Sequence, residues 1–159
     1  WLLLPDVISY SAGISACEKG GCWTLAIALL SKMRTELLVP DSFTYNALIS
    51  ACGKGYQWQR GLQGLTMLEQ AALRPDIFTF GATLDCTEKA AKWQAGLGLL
   101  SEMRIHAVDP NLVILNTASS LFAKSGLWLH SLQTLQDMRC LGIVPDIISY
   151  NAAISACEK

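Results

Sequence analysis

The chain is short of charge and of histidine, and both shortages narrow its chemistry. Only 16% of its 159 residues are charged, with a formal net charge of −1. That balance supplies no bulk attraction to a polyanion, so a nucleic-acid binder of this composition must gather its cations on one face. Two histidines, His106 and His130, and no Cys-x-x-Cys pair leave little from which to build a metal site. No run of eighteen uninterrupted apolar residues occurs, so no segment reads as a membrane-spanning helix. No nucleophile–base constellation or phosphate-binding loop is present either, which argues against an enzyme and against a cofactor. The content of hydrophobic residues, 52%, excludes a disordered chain.

What the sequence has in abundance is repetition. "PDVISYSAGISACE" at 5–18 recurs as "PDSFTYNALISACG" at 40–53 and "PDIISYNAAISACE" at 145–158. All five prolines, Pro5, Pro40, Pro75, Pro110 and Pro145, are 35 residues apart. Trp23, Trp58, Trp93 and Trp128 keep the same step, as do Lys19, Lys54, Lys89, Lys124 and Lys159. A fixed period of this size is the mark of a repeat array. The chain starts at Trp1 and stops inside a phrase, so a piece of a longer array is expected, with any targeting peptide upstream. Cys17, Cys52 and Cys157 sit in the apolar run "ISAC", and the cysteines are expected to be buried, reduced thiols rather than ligands or bridges.

Each copy has room for two helices. After Pro-Asp, the residues Phe43, Tyr45, Leu48, Ile49 and Cys52 follow helical spacing, with Thr44, or Ser9 and Ser149 in matching copies, placed to cap the N-terminus. Gly53 and Gly55, and elsewhere Gly20, Gly21 and Gly126, are expected to break the chain. A second helix starts near the tryptophan, where Trp23, Ala26, Ile27, Leu30 and Met33 form an apolar stripe. Ala26, Gly61, Gly96 and Ser131 occupy one column, all small enough for paired helices to approach closely. One hairpin cannot cover its own stripe, so the copies must stack. The predicted fold is all-α: a twisted α-solenoid of helical hairpins, with the first helices lining its concave face.

The unit resembles the pentatricopeptide repeat of the 35-residue P type, whose consensus opens with Tyr-Asn and closes on Pro-Asp. Tyr45-Asn46 and Tyr150-Asn151 match the opening; Asp6, Asp41, Asp76 and Asp146 match the closing, with Asn111 the exception. In that register the copies run 7–41, 42–76, 77–111 and 112–146, residues 1–6 end an earlier copy, and 147–159 are the first helix of a fifth. The resemblance implies binding of single-stranded RNA at one base per repeat, read by the fifth and last residues, with the second residue wedged between bases. It also implies a chloroplast or mitochondrial role in RNA processing, stability, editing or translation, beside protein partners that supply catalytic activity.

Carried over residue by residue, the reading pairs are Ser11 with Asp41 (guanine), Asn46 with Asp76 and Asn116 with Asp146 (uracil), and Gly81 with Asn111, which discriminates poorly. Asn151 opens a fifth pair. The implied target is 5′-G-U-N-U-3′, a footprint of about four bases and hence a weak binder. The wedges would be Ile8, Phe43, Phe78, Val113 and Ile148, and the lysine column would contact phosphates.

Each column also has a structural reading. An acid after proline is ordinary helix-start chemistry, and a lysine in a helix's last turn complements the dipole. The second-position residues would serve equally to seal one hairpin on the next, and the asparagines to hydrogen-bond between repeats. The tryptophans read as core. A peptide-binding solenoid is the competing function.

Overall fold

The structure, a computed structural model, describes residues 6–158. Those residues form nine α-helices and no strand: α1 Val7–Gly20, α2 Trp23–Thr35, α3 Ser42–Lys54, α4 Trp58–Gln70, α5 Ile77–Lys89, α6 Trp93–Ile105, α7 Leu112–Lys124, α8 Trp128–Cys140 and α9 Ile147–Cys157. First helices start at 7, 42, 77, 112 and 147, and every second helix starts on its tryptophan, so both sets keep the 35-residue step. Among the described residues no helix is long and apolar enough to cross a membrane, and no cluster of His, Cys, Asp or Glu could hold a metal ion.

The chain divides into two compact units, one reaching Cys86 and the other beginning at Thr87 within α5. In the first unit α1 packs on α2 and α3, and α3 on α4. Ile14, Leu30, Tyr45, Leu48, Cys52 and Leu68 are buried together there, with the Trp23 and Ile27 side chains against them. In the second unit α7 packs on α8 and α9. The small column behaves as predicted: Ala26, Gly61, Gly96 and Ser131 are all buried. Ser131 and Ser119 exchange a hydroxyl hydrogen bond of 2.7 Å between α8 and α7, a contact that only small side chains permit.

Three sequence expectations need correcting. The N-caps are the residues after proline, not the hydroxyl residues three positions on. Asp6, Asp41, Asn111 and Asp146 accept the backbone N–H of Ser9, Thr44, Ile114 and Ser149. Asp76 likewise accepts from the Thr79 N–H at 2.8 Å. An acid at this place satisfies an orphan helix N–H and faces the positive end of the dipole. Secondly, Gly53 does not break the chain; it is buried inside α3, where a Cβ would come within 2.8 Å of Cys86 Sγ. The glycine admits Cys86, whose thiol donates to the Ile49 carbonyl at 3.3 Å. Thirdly, only Cys17, Cys52 and Cys86 are buried; Cys22, Cys140 and Cys157 are exposed. Cys22 and Cys140 lie at helix ends, and Cys157 is the last residue of α9. Burial pushes the Cys52 thiol up to about 11, so it stays protonated.

Each of the eight connections between consecutive helices contains one left-handed residue: Gly21, Leu37, Tyr56, Ala72, Ala91, Ala107, Gly126 and Gly142. The residue following it donates back to the preceding helix, as in Cys22 to the Cys17 carbonyl at 3.0 Å and Leu38 to the Met33 carbonyl at 3.1 Å. This Schellman geometry satisfies end carbonyls but strains any residue with a Cβ. Leu37 is 90% exposed and gains nothing from its side chain in compensation. Leu37→Gly should therefore stabilise the chain by about 1 kcal/mol, read as a rise in the urea midpoint. Gly55 presents the opposite case. Its φ of −85° is ordinary, but an added Cβ would overlap the Trp23 indole of the preceding hairpin. Gly55→Ala should lower stability by about 1–3 kcal/mol in the same assay.

Candidate nucleic-acid interface

The predicted recognition columns all start from the first turns of the first helices, where the cap fixes the register. Second-position residues lie just inside the cap and project away from the stack. Ile8 is 76% exposed, Phe43 60%, Phe78 73%, Val113 68% and Ile148 60%. A residue that sealed one hairpin against the next would be buried, as Tyr45, two places on from Phe43, is at 0%. The sealing alternative therefore fails for every member of the column. Five large apolar side chains held in water by rigid helix starts form surface that only a partner would cover.

In the first unit these side chains border a cleft of about 520 Å³, which Ile8, Ser11, Ser15, Lys19, Asp41 and Phe43 help to line. One recess thus gathers the predicted reading pair, a lysine, and apolar second-position residues from two successive repeats. Ser11 is nearly buried and its hydroxyl lies 2.7 Å from Thr44 Oγ1, which donates to Asp41 Oδ1 at 2.6 Å. A hydroxyl of the following helix therefore joins the two members of the pair.

The same linkage appears in the second unit with different chemistry. Asn116 Nδ2 donates to Asp146 Oδ1 at 3.1 Å, and Ser149 Oγ donates to Asn116 Oδ1 at 2.6 Å. Asp146 also accepts the Ser149 backbone N–H at 2.9 Å. That bond, helped by the one from the Asn116 amide, holds the Asp146 carboxyl below its ordinary value of 3.8, against the opposing effect of burial. Asp6 is lowered as well, chiefly by the Ser9 hydroxyl and then by the Ser9 N–H.

The middle pairs are less tightly joined. Asn46 is half-buried, and its Oδ1 is sealed from solvent with no hydrogen-bond partner. Asp76 is exposed and bonds through Oδ1 to Thr79. Gly81 is half-buried in α5 and Asn111 is exposed at the start of α7; they fall in different units. Asn151 is exposed on α9.

The lysine column has a structural use that the sequence did not disclose. Lys54 pairs with Glu18 of the preceding repeat at 3.6 Å, and Lys124 with Glu88 at 2.8 Å, where Ser120 also donates to the same carboxylate oxygen. Lys19 is exposed in the cleft and Lys89 is half-buried; Lys159 lies outside the described residues. The residues that sequence reasoning missed are Thr44, Ser149, Glu18 and Glu88. The hydroxyl column was visible but was read as caps, and the glutamates sit beside the lysine column in alternate copies only.

Fold and site together define a helical-repeat protein whose first helices leave their second-position side chains exposed in each unit. A family model described as the PPR repeat family matches residues 5–54. The pentatricopeptide repeat protein PPR10 from maize superposes with a TM-score of 0.79 at 25% identity, over 97% of this chain and 22% of PPR10. PPR10 in complex with an 18-nt psaJ RNA element superposes at 0.84 and 23% identity, over 96% and 22%. The PPR domain of Arabidopsis thaliana protein-only RNase P 1, in complex with tRNA, superposes at 0.83 and 16% identity, over 98% and 81%. No curated protein matches the chain significantly. The family match covers residues 5–54, under a third of the chain; over nearly its whole length the chain shares the helical-hairpin fold of these solved structures, and it spans about a fifth of the length of PPR10.

The capping carboxylates make the fold sensitive to acid. A carboxyl whose folded pKa lies below its unfolded value adds stability that is complete above the unfolded value and lost as pH falls through the folded one. Asp6 and Asp146 start from 3.8 and are lowered, so their contribution should disappear progressively below about pH 4. Asparagine caps without titrating, as Asn111 does through the Ile114 N–H at 3.0 Å. Unfolding measured from pH 3 to 7 should accordingly lose stability less steeply below pH 4 in Asp146→Asn than in the wild type.

Proposed function

We propose that this chain binds single-stranded RNA along its first helices, at about one base per repeat. The observation that carries the reading is the first-unit cleft, where a reading pair, a lysine and two exposed apolar side chains converge. Each element answers a need of an unstacked nucleotide. Ile8 and Phe43 flank the recess and can take the faces of a base, Ser11 and Asp41 address its edge, and Lys19 supplies a cation for phosphate.

In the register 7–41, 42–76, 77–111 and 112–146, with 147–159 opening a fifth repeat, the target is 5′-G-U-N-U-3′, its third position unselective because Gly81 has no side chain to offer. The organellar setting, chloroplast or mitochondrion, is part of this proposal, as is RNA processing, stability, editing or translation carried out with protein partners that bring the catalysis. The PPR10 structure with a psaJ element and the RNase P PPR domain with tRNA support the RNA reading by analogy of fold.

The test is an NMR titration of the whole chain with RNA containing GUAU, against scrambled RNA and the matching DNA, at low and moderate salt. The RNA should bind in preference and lose affinity as salt rises, with a slope of about −0.7 per neutralised phosphate on a log–log plot. Phe43→Ala should weaken binding about tenfold, the loss of one stacking face. Asn46→Ala and Asn116→Ala should reduce the preference for uracil. A folded chain that ignores RNA would sink the proposal in favour of a peptide-binding solenoid.

A further inference from the structure

Building on the RNA reading, we infer that the hydroxyl at the third place of each first helix is a positioning residue for the preceding repeat's reading pair, and that Ser149 locks the orientation of the Asn116 amide. The hydrogen-bond inventory of the second unit leaves little freedom. A hydroxyl has one proton and two acceptor sites. Ser149 Oγ sends its proton to Asn116 Oδ1 at 2.6 Å, the shorter of its two donor contacts, and accepts the Asp146 backbone N–H at 3.1 Å. The Asn116 oxygen is thereby engaged, and one of its N–H groups is committed to Asp146 Oδ1 at 3.1 Å. One N–H of Asn116 and the second carboxylate oxygen of Asp146 remain to meet a base.

An amide free to rotate by 180° about its last bond offers a donor in one orientation and an acceptor in the other. It then serves two base edges of opposite polarity almost equally well. The two partners together remove that choice, because flipping Asn116 would turn its oxygen onto the Asp146 carboxylate and forfeit the short bond from the Ser149 hydroxyl. The pair therefore presents a fixed donor beside a fixed acceptor. The lock belongs to the next repeat, so the selectivity of one repeat depends on a residue of its neighbour.

In the first unit Thr44 joins the pair in another way: its hydroxyl gives its proton to Asp41 Oδ1 at 2.6 Å and lies 2.7 Å from Ser11 Oγ, which also reaches the Val7 carbonyl at 2.7 Å. In the second repeat Thr79 Oγ1 donates to Asp76 Oδ1 at 2.8 Å and Asn46 Oδ1 stays without a partner, which is the unlocked form of the same set. The column itself is consistent with the role. It reads Ser9, Thr44, Thr79, Ile114 and Ser149, and the one copy without a hydroxyl follows the one repeat whose fifth residue, Gly81, has no side chain to lock.

Ser149→Ala, Ser149→Thr, Asn116→Ala and Ser9→Ala in the whole chain test the inference, each titrated with GUAU and GUAC, whose last base faces the fourth repeat. Ser149→Ala should cut the GUAU-to-GUAC affinity ratio about fivefold, the weight of one hydrogen bond, and Ser149→Thr should restore it. Ser9 is the control: its hydroxyl bonds the capping Asp6 at 2.7 Å and touches no reading residue, so Ser9→Ala should lose a cap contact and keep the ratio. Without RNA, the Asn116 side-chain amide protons should exchange faster in Ser149→Ala. If Ser149→Ala keeps both the ratio and the slow exchange while Asn116→Ala loses the ratio, the lock is overturned and the RNA reading stands. If the wild type binds no RNA, both fall together.

Discussion

The bond on which most else depends is the one from the residue after proline to the N–H three places on. It is local, formed in every described repeat junction, and it fixes the first turn of each first helix to within one residue. Proline presets the chain for the entry, since its φ is locked and it has no N–H to satisfy. Once the cap is set, the second residue points outward, and the fourth points inward in the first four copies. Exposure of Phe43 beside complete burial of Tyr45 is the direct consequence. The cap is thus what turns a sequence period into a spatial one.

The junctions then impose opposite demands on small residues. Where helices pack closely, a Cβ is one atom too many, as Gly53 and Gly61 against Cys86 of the next hairpin and Gly64 against Ile49 of its own hairpin illustrate. Where the chain reverses, glycine is wanted for its left-handed freedom, yet five of the eight left-handed residues carry a side chain. The array tolerates the strain at its turns and does not tolerate crowding at its seams. That ordering fits a structure whose stability comes from neighbour-to-neighbour burial, since a turn affects only its own hairpin.

Much of this was legible before any coordinates. The period, the paired helices, the start of each second helix at tryptophan and the small column follow from spacing alone, because each is a property of one helix. What was not legible depends on two helices at once. Asp and Thr are both good caps and stand three apart, so sequence could not say which of Asp41 and Thr44 accepts; the answer lies in the backbone geometry of the turn. Lys54 and Glu18 are far apart in sequence and meet only when the hairpins stack. Cys157 occupies the same column as Cys17 and Cys52 yet is exposed, a difference that the column itself does not carry.

On the RNA reading, the same atoms hold the array together and face the ligand. One carboxylate oxygen of Asp146 both caps α9 and takes the Asn116 amide, while the Asn116 oxygen takes the Ser149 hydroxyl. Lys54 and Lys124 are half-exposed while bound to glutamates of the preceding repeat, so a phosphate that recruits them must compete with an existing partner. Such pairs near the surface are weak, and the exchange is nearly neutral in energy. It follows that the electrostatic part of ligand binding is smaller than the count of lysines suggests. Discrimination must come from hydrogen-bonding groups whose orientation the stack has already fixed. A repeat protein with a net charge of −1 has little else to draw on.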